Sequence, residues 1–186
     1  MRIIETKVYT FNELSDEAKQ HAIESLYDLN VDHEWWENVY EDAENVGLKI
    51  EGFDIGRGQD CTGHFIGSAW DTANEILKGH GPDCETFKTA TDYMAEYKRL
   101  EVEQCQDEAD RLCLPVEYDL YLTRAEYLYY QDEIDTEDID AEFLRSLLED
   151  YRIMLQKEYE YLTSEEAIIE CIDANEYEFT AEGNLI

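Results

Sequence analysis

Basic residues are scarce in this chain: 14 Lys and Arg stand against 47 Asp and Glu in 186 residues, for a formal net charge of −33. A protein so charged repels duplex nucleic acid, anionic membranes and acidic ligands, and attracts basic surfaces and divalent cations. Long apolar runs are missing as well, and no stretch approaches the roughly 20 residues that cross a bilayer. Proline occurs only at Pro82 and Pro115, and no low-complexity linker divides the sequence. The five cysteines (Cys61, Cys84, Cys105, Cys113 and Cys171) are odd in number and irregularly spaced. That pattern argues against a disulfide framework and fits small buried thiols in a reducing cytoplasm. Met1-Arg2-Ile3-Ile4-Glu5 turns charged almost at once, so no leader peptide is expected.

What is present argues for a folded chain. The hydrophobic fraction is 44%, and 14 Tyr, 6 Phe and 3 Trp supply core-forming rings that acidic disordered chains lack. Residues 2–9 read as a first strand. Ser15 is a candidate N-cap for a helix carrying Ala18, Ala22, Leu26 and Leu29 at helical spacing, with Asp16 and Glu17 in its first turn. A second helix is expected over about 32–45, stopped by Gly47. The segments 48–56 and 64–70, joined by a Gly-rich run, predict a β-hairpin with a turn or bulge. A short helix follows near 71–78.

A long helix is expected from about 83 to 112, with Phe87, Met94, Tyr97, Val102, Cys105, Ala109 and Leu112 as its apolar residues and Pro115 as its end. Residues 114–122 alternate like a strand, and 124–134 fit either a strand or a helix. Ile139, Phe143, Leu147, Tyr151, Met154 and Leu155 form one stripe of a further long helix. Thr163-Ser-Glu-Glu166 reads as a capping box before a last helix, and 176–180 as a short final strand. The expectation is α+β: one acidic domain over 1–186, with several helices packed on a small, mainly antiparallel sheet.

Four sequence blocks add a resemblance. KVYTFNELSDEAKQHAIE, NVDHEWWENVYEDAE, GFDIGRGQDCTG and KEYEYLTSEEAIIECIDANEYEFT are similar, in this order, to a family of small phage and prophage proteins. Some of its members are described as the N-terminal region of an antitoxin of a toxin–antitoxin stability system. The resemblance implies a phage-encoded protein working in a bacterial cytoplasm, and it supplies no catalytic residues.

Each local motif also has a simpler reading. Cys61-x2-His64 and His80-x3-Cys84 offer two thiolates and two imidazoles, a set that zinc accepts in a tetrahedron. The simpler reading is a hairpin end and an unrelated loop. The run GRGQDCTG lacks the spacing of a phosphate-binding loop. Forty-seven carboxylates make any His–acid pairing unspecific, and no nucleophile with an oriented base stands out, so neither an enzyme nor a cofactor is expected.

The acid-rich stretch from Gln131 to Phe143 holds Asp132, Glu133, Asp135, Glu137, Asp138, Asp140 and Glu142 and no base. A calcium loop fails there in both registers, because oxygen ligands or the central glycine are missing. A helix start accounts for some of these acids through the macrodipole, but not for the lack of bases. Together with Glu101, Glu103, Asp107, Glu108 and Asp110 they predict a surface that stands in for a line of phosphates. Carboxylates four apart on a helix rise about 6 Å, against about 3.4 Å between phosphates of one strand, so adjacent helices could approach duplex charge density. Tyr127, Tyr129 and Tyr130 could anchor such an interface.

The expected function is therefore a non-enzymatic acidic protein that inhibits a host nucleic-acid-binding protein of a defence, restriction or CRISPR type by mimicry. Its partner would be that protein's basic surface, with no direct contact to nucleic acid or membrane; a homodimer is compatible with this. The alternatives are an antitoxin-like regulator of a basic partner and, from a different class, a zinc- or thiol-dependent enzyme.

Overall fold

The computed structural model describes residues 7–111 and 135–186, leaving aside the side chains of 104–111. Its elements in chain order are β1 (Tyr9–Thr10), a 3-10 turn (Phe11–Glu13), α1 (Asp16–Ser25), α2 (Glu37–Asn45), β2 (Leu48–Asp54), β3 (Asp60–Phe65), α3 (Ala69–Gly79), α4 (Glu85–Arg111), α5 (Glu137–Leu162), α6 (Glu165–Ala174) and β4 (Glu178–Phe179). The class is α+β. The strands form two antiparallel ribbons, β1 with β4 and β2 with β3. Of the expected first strand over 2–9, residues 2–6 lie outside the described residues and only Tyr9 is in a strand; the expected strand 114–122 and the segment 124–134 also lie outside the described residues.

The chain divides into two compact units, Met1–Val39 with Met154–Ile186, and Tyr40–Ile153. Residues of α2 and α5 contribute to both.

In the first unit Ser15 and Ser164 each accept a hydrogen bond from the backbone N–H three residues on, which starts α1 and α6. The second cap falls one residue later than the expected box, because the Thr163 hydroxyl donates instead to the Tyr159 carbonyl at 2.8 Å. α1 is shorter than the spacing predicts. After Ser25 the backbone makes tight turns, with Leu29 N–H bonding Leu26 O and Val31 N–H bonding Asp28 O, and helix resumes only at Glu37. Ala18 and Ala22 of α1 pack with Phe11, Leu14, Ile168, Ile172 and Phe179 in one core, where the Phe11 and Phe179 rings meet edge-on at 6.2 Å. Gly183 sits at φ +85 against the Ala18 carbonyl, and a Cβ there would press into that oxygen.

The second unit is built on the β2–β3 hairpin, whose register shifts between Ile50 and Gly52 as the glycine-rich sequence predicts; its second strand, however, is Asp60–Phe65 rather than 64–70, because much of the run expected as a turn is paired with β2. Gly47, at φ +90, ends α2, and its carbonyl accepts from Ile66 N–H at 2.8 Å and from the buried Thr72 hydroxyl at 3.3 Å. Phe65 and Tyr93 both stack on Phe143, with centroids 5.5 Å and 4.4 Å away. Phe143, Leu147 and Tyr151 of α5 are buried here as the stripe predicts, and Leu155, in the part of α5 that belongs to the first unit, is buried as well. On α4 Tyr97 is buried as expected, but among the described side chains its buried companions are Thr86, Ala90 and Tyr93, while Phe87 and Met94 are half-buried and Val102 is 61% exposed. A helix turns about 100° per residue, so position 102 lies some 140° from position 97 and leaves the core face despite its apolar side chain.

Candidate functional site

The acidic residues singled out from the sequence reach different environments. Glu101 and Glu103 lie on α4; Glu101 is half-buried, and Glu103 is exposed but accepts a hydrogen bond from Arg99 at 2.7 Å. Arg99 also bonds Glu96, and those contacts hold the Glu96 carboxyl below the usual carboxylate range. Asp107, Glu108 and Asp110 are in the last turns of α4, where side chains are not described. Asp132 and Glu133, like Tyr127, Tyr129 and Tyr130, lie outside the described residues.

The remaining five lie at or just before the start of α5. Asp135, Glu137 and Asp138 are exposed, and the Asp135 carboxylate accepts from Glu137 N–H at 3.3 Å. Glu142 bonds Arg145 one turn on. Asp140 is half-buried and accepts from the Tyr93 hydroxyl at 2.7 Å and from Thr136 at 2.9 Å. Burial, helped by that bond to Asp140, holds the Tyr93 hydroxyl well above the ordinary tyrosine range. Asp140 thus belongs to the packing of α5 on α4, whereas Asp135, Glu137 and Asp138 remain at the surface.

The four candidate zinc ligands do not converge, and among the described residues no group of three or more His, Cys, Asp or Glu could hold a metal ion. The reason is local. Cys61 and His64 are three apart on β3, and a strand sends residues an odd number apart to opposite faces. Cys61 is half-buried, and His64 points outward to Glu51 at 3.2 Å. Burial, reinforced by Asp60, pushes the Cys61 thiol up to about 11, so it is neither a ready thiolate ligand nor an activated nucleophile. Cys84 is exposed, and His80 turns the other way, into the protein.

His80 belongs to a chain of polar groups that the sequence did not reveal. Its Nδ1 lies 2.7 Å from the Thr86 hydroxyl, and its Nε2 lies 3.5 Å from Asp42. The other Asp42 oxygen accepts from the Tyr151 hydroxyl at 2.9 Å. Burial, and then the Asp42 charge, raises the Tyr151 hydroxyl above its ordinary range. Hydroxyl, imidazole and carboxylate are the residue types of a nucleophilic relay. Here, however, Thr86 is only 3% exposed, so a substrate cannot reach its oxygen. The chain acts as a clamp that satisfies buried polar atoms while tying α2, α5 and the start of α4 together.

The chain matches no family model, no curated protein and no solved structure.

Charge compensation separates the two units more sharply than charge itself. The first unit holds 18 Asp and Glu against 4 Lys and Arg in the sequence. Among the described residues none of its Lys or Arg forms an ion pair; Lys19 lies over the Phe11 ring instead, at 5.8 Å. In the second unit Lys49, Lys78, Lys88, Arg99, Arg145 and Arg152 all pair with Glu. Neither α1 nor α6 has a base in its last turn, although both start with two acids. The sequence-based candidates fall in the second unit. Among the described residues the first unit exposes Glu17, Glu24, Asp28, Glu34, Glu165, Glu166 and Asp173, none of them in an ion pair with Lys or Arg. The signal that points to them is the spacing of bases rather than the density of acids.

Among the described residues no helix is long and apolar enough to cross a membrane.

Proposed function

We propose that this protein works by binding: its carboxylates occupy a basic, nucleic-acid-binding surface of another protein and so exclude the phosphates that surface normally holds. The observation that carries this reading is the exposed acidity of the first unit, where among the described residues no Lys or Arg forms an ion pair. Helix capping uses only the first-turn acids. Solubility needs far less than a net charge of −33, and self-repulsion on that scale opposes folding. Acids kept at such a cost are best explained by a partner that neutralises them. Association would be fast and steered, and would weaken steeply with salt.

The resemblance to small phage proteins supplies a setting, in which the partner is a host defence protein in the bacterial cytoplasm. The test is to capture partners from a bacterial lysate and to challenge each complex with duplex DNA. On this reading the captured proteins bind nucleic acid and duplex releases them. Replacing Glu24, Asp28, Glu34 and Asp173, which lie outside the first helical turns, by their amides should weaken capture and leave the fold intact. Partners with no affinity for nucleic acid, whose capture duplex leaves unchanged, would favour a regulator that neutralises a basic protein without mimicry.

A further inference from the structure

The second unit has an open groove of about 630 Å³ between the start of β3 and the first half of α5. Gly63 lies against the helix so closely that a Cβ there would come 3.1 Å from the Leu148 side chain. Toward Asp60 that contact gives way to the groove, whose lining is mainly apolar: Ala141, Leu144, Leu148 and the half-buried Cys61. Ala141, Leu144 and Leu148 recur every three or four residues and so share one face of α5, while Phe143 and Leu147 are buried in the core. The rim is acidic. Asp60 is exposed, as are Glu137 and Asp138 one turn before Ala141, and among the described residues none of the three forms an ion pair. Arg145, the base that lines the groove, pairs with Glu142.

An apolar trough edged by unpaired carboxylates is complementary to an apolar side chain flanked by bases. A second copy of this chain fits poorly, because two molecules of net charge −33 repel each other. An uncharged ligand would leave the rim acids without a counter-charge. We infer that the groove receives a basic protein segment, with one large apolar side chain seated on Leu144 and Leu148 and a neighbouring Lys or Arg reaching Asp60. This deepens the proposed function and rests on it. Exposed acids attract any basic surface and mainly raise the rate of encounter, whereas an apolar anchor in a pocket holds the partner and selects among basic segments.

The test titrates the intact protein at low salt with two oligo-lysine peptides of equal length and charge, one with a central leucine and one with a central serine. A neutral oligo-serine peptide with the same central leucine is the third probe. The leucine–lysine peptide should bind about tenfold more tightly than the serine–lysine one, as partial burial of one leucine side chain provides. Ala141→Trp fills the groove from an exposed position and should abolish that advantage while leaving the serine–lysine affinity unchanged. Leu144→Gln should do the same and serves if Ala141→Trp disturbs the fold, whereas Asp60→Asn should weaken both lysine peptides. Equal binding of the two lysine peptides, or a leucine advantage that survives both groove variants, overturns the inference and leaves the acidic reading standing. Binding of the neutral peptide as tight as that of the leucine–lysine peptide also overturns it, because the groove then takes an uncharged ligand. Failure of every peptide to bind overturns both.

Discussion

The two units of this protein carry similar charge per residue and handle it in opposite ways. In Tyr40–Ile153, Lys49, Lys78, Lys88, Arg99, Arg145 and Arg152 sit three to five residues from a Glu and pair with it, and the half-buried carboxylates Asp42, Asp140 and Asp150 are engaged by hydroxyls. In the other unit none of the described Lys or Arg forms an ion pair, and the core is purely apolar. The difference teaches that composition alone does not locate a charged surface. A similar net charge per residue is largely internal where pairs form, and an outward property where they do not. Solvated pairs contribute little to stability, so the second unit's pairing shapes its surface more than its stability.

The sharpest way to break the comparison is to damage one unit at a time. Gly183→Ala puts a Cβ into the Ala18 carbonyl at a left-handed backbone position, and should cost roughly 2–4 kcal/mol. Hydrogen exchange should report the loss mainly in 7–39 and 154–186. A smaller effect is expected from Tyr151→Phe, which removes the donor to Asp42 and should cost about 1–2 kcal/mol, with protection falling in 40–111. Protection lost evenly across the chain in both variants would show that the two units do not differ in this way.

Asp150 gives the smallest effect and the most specific one. Burial raises its carboxyl above the usual range, with Glu85 and Glu149 adding to the shift, while the bond from Thr89 at 2.6 Å opposes it. A folded value above the unfolded one means that its contribution is fully present below about pH 3.9 and is lost as pH rises through the folded value. Asp150→Asn keeps an acceptor for Thr89 and removes the charge. It should therefore raise the melting temperature at pH 7, and the gain should shrink as pH falls toward about 4. An unchanged melting temperature at pH 7 would show that Glu85 and Glu149 do not strain this site.

Much of the fold was legible because periodicity and capping are local. Ser15, Gly47, the bulged hairpin and the Phe143–Leu155 stripe all follow from rules that span a few residues. Features set by distant partners were not. The buried face of α4 includes Thr86, which looks polar in sequence and is buried because His80 receives it. His80 looked like a metal ligand beside Cys84, and its direction is fixed by Asp42, 38 positions away. Cys61 and His64 fit a zinc spacing only if their backbone is a turn, and it is a strand. The candidate acidic site was half legible. Acid density marked the start of α5, where Asp140 proved structural, but it passed over the first unit, whose significance lies in bases that are absent.

The central claim is that exposed carboxylates here take the place of phosphates. Its most direct test is competition on a captured nucleic-acid-binding partner, measured over a range of salt concentrations. The account predicts that this protein and duplex DNA displace each other completely, and that the affinity of this protein for the partner falls steeply as salt rises. A ternary complex in which duplex stays bound, with an affinity indifferent to salt, would contradict it.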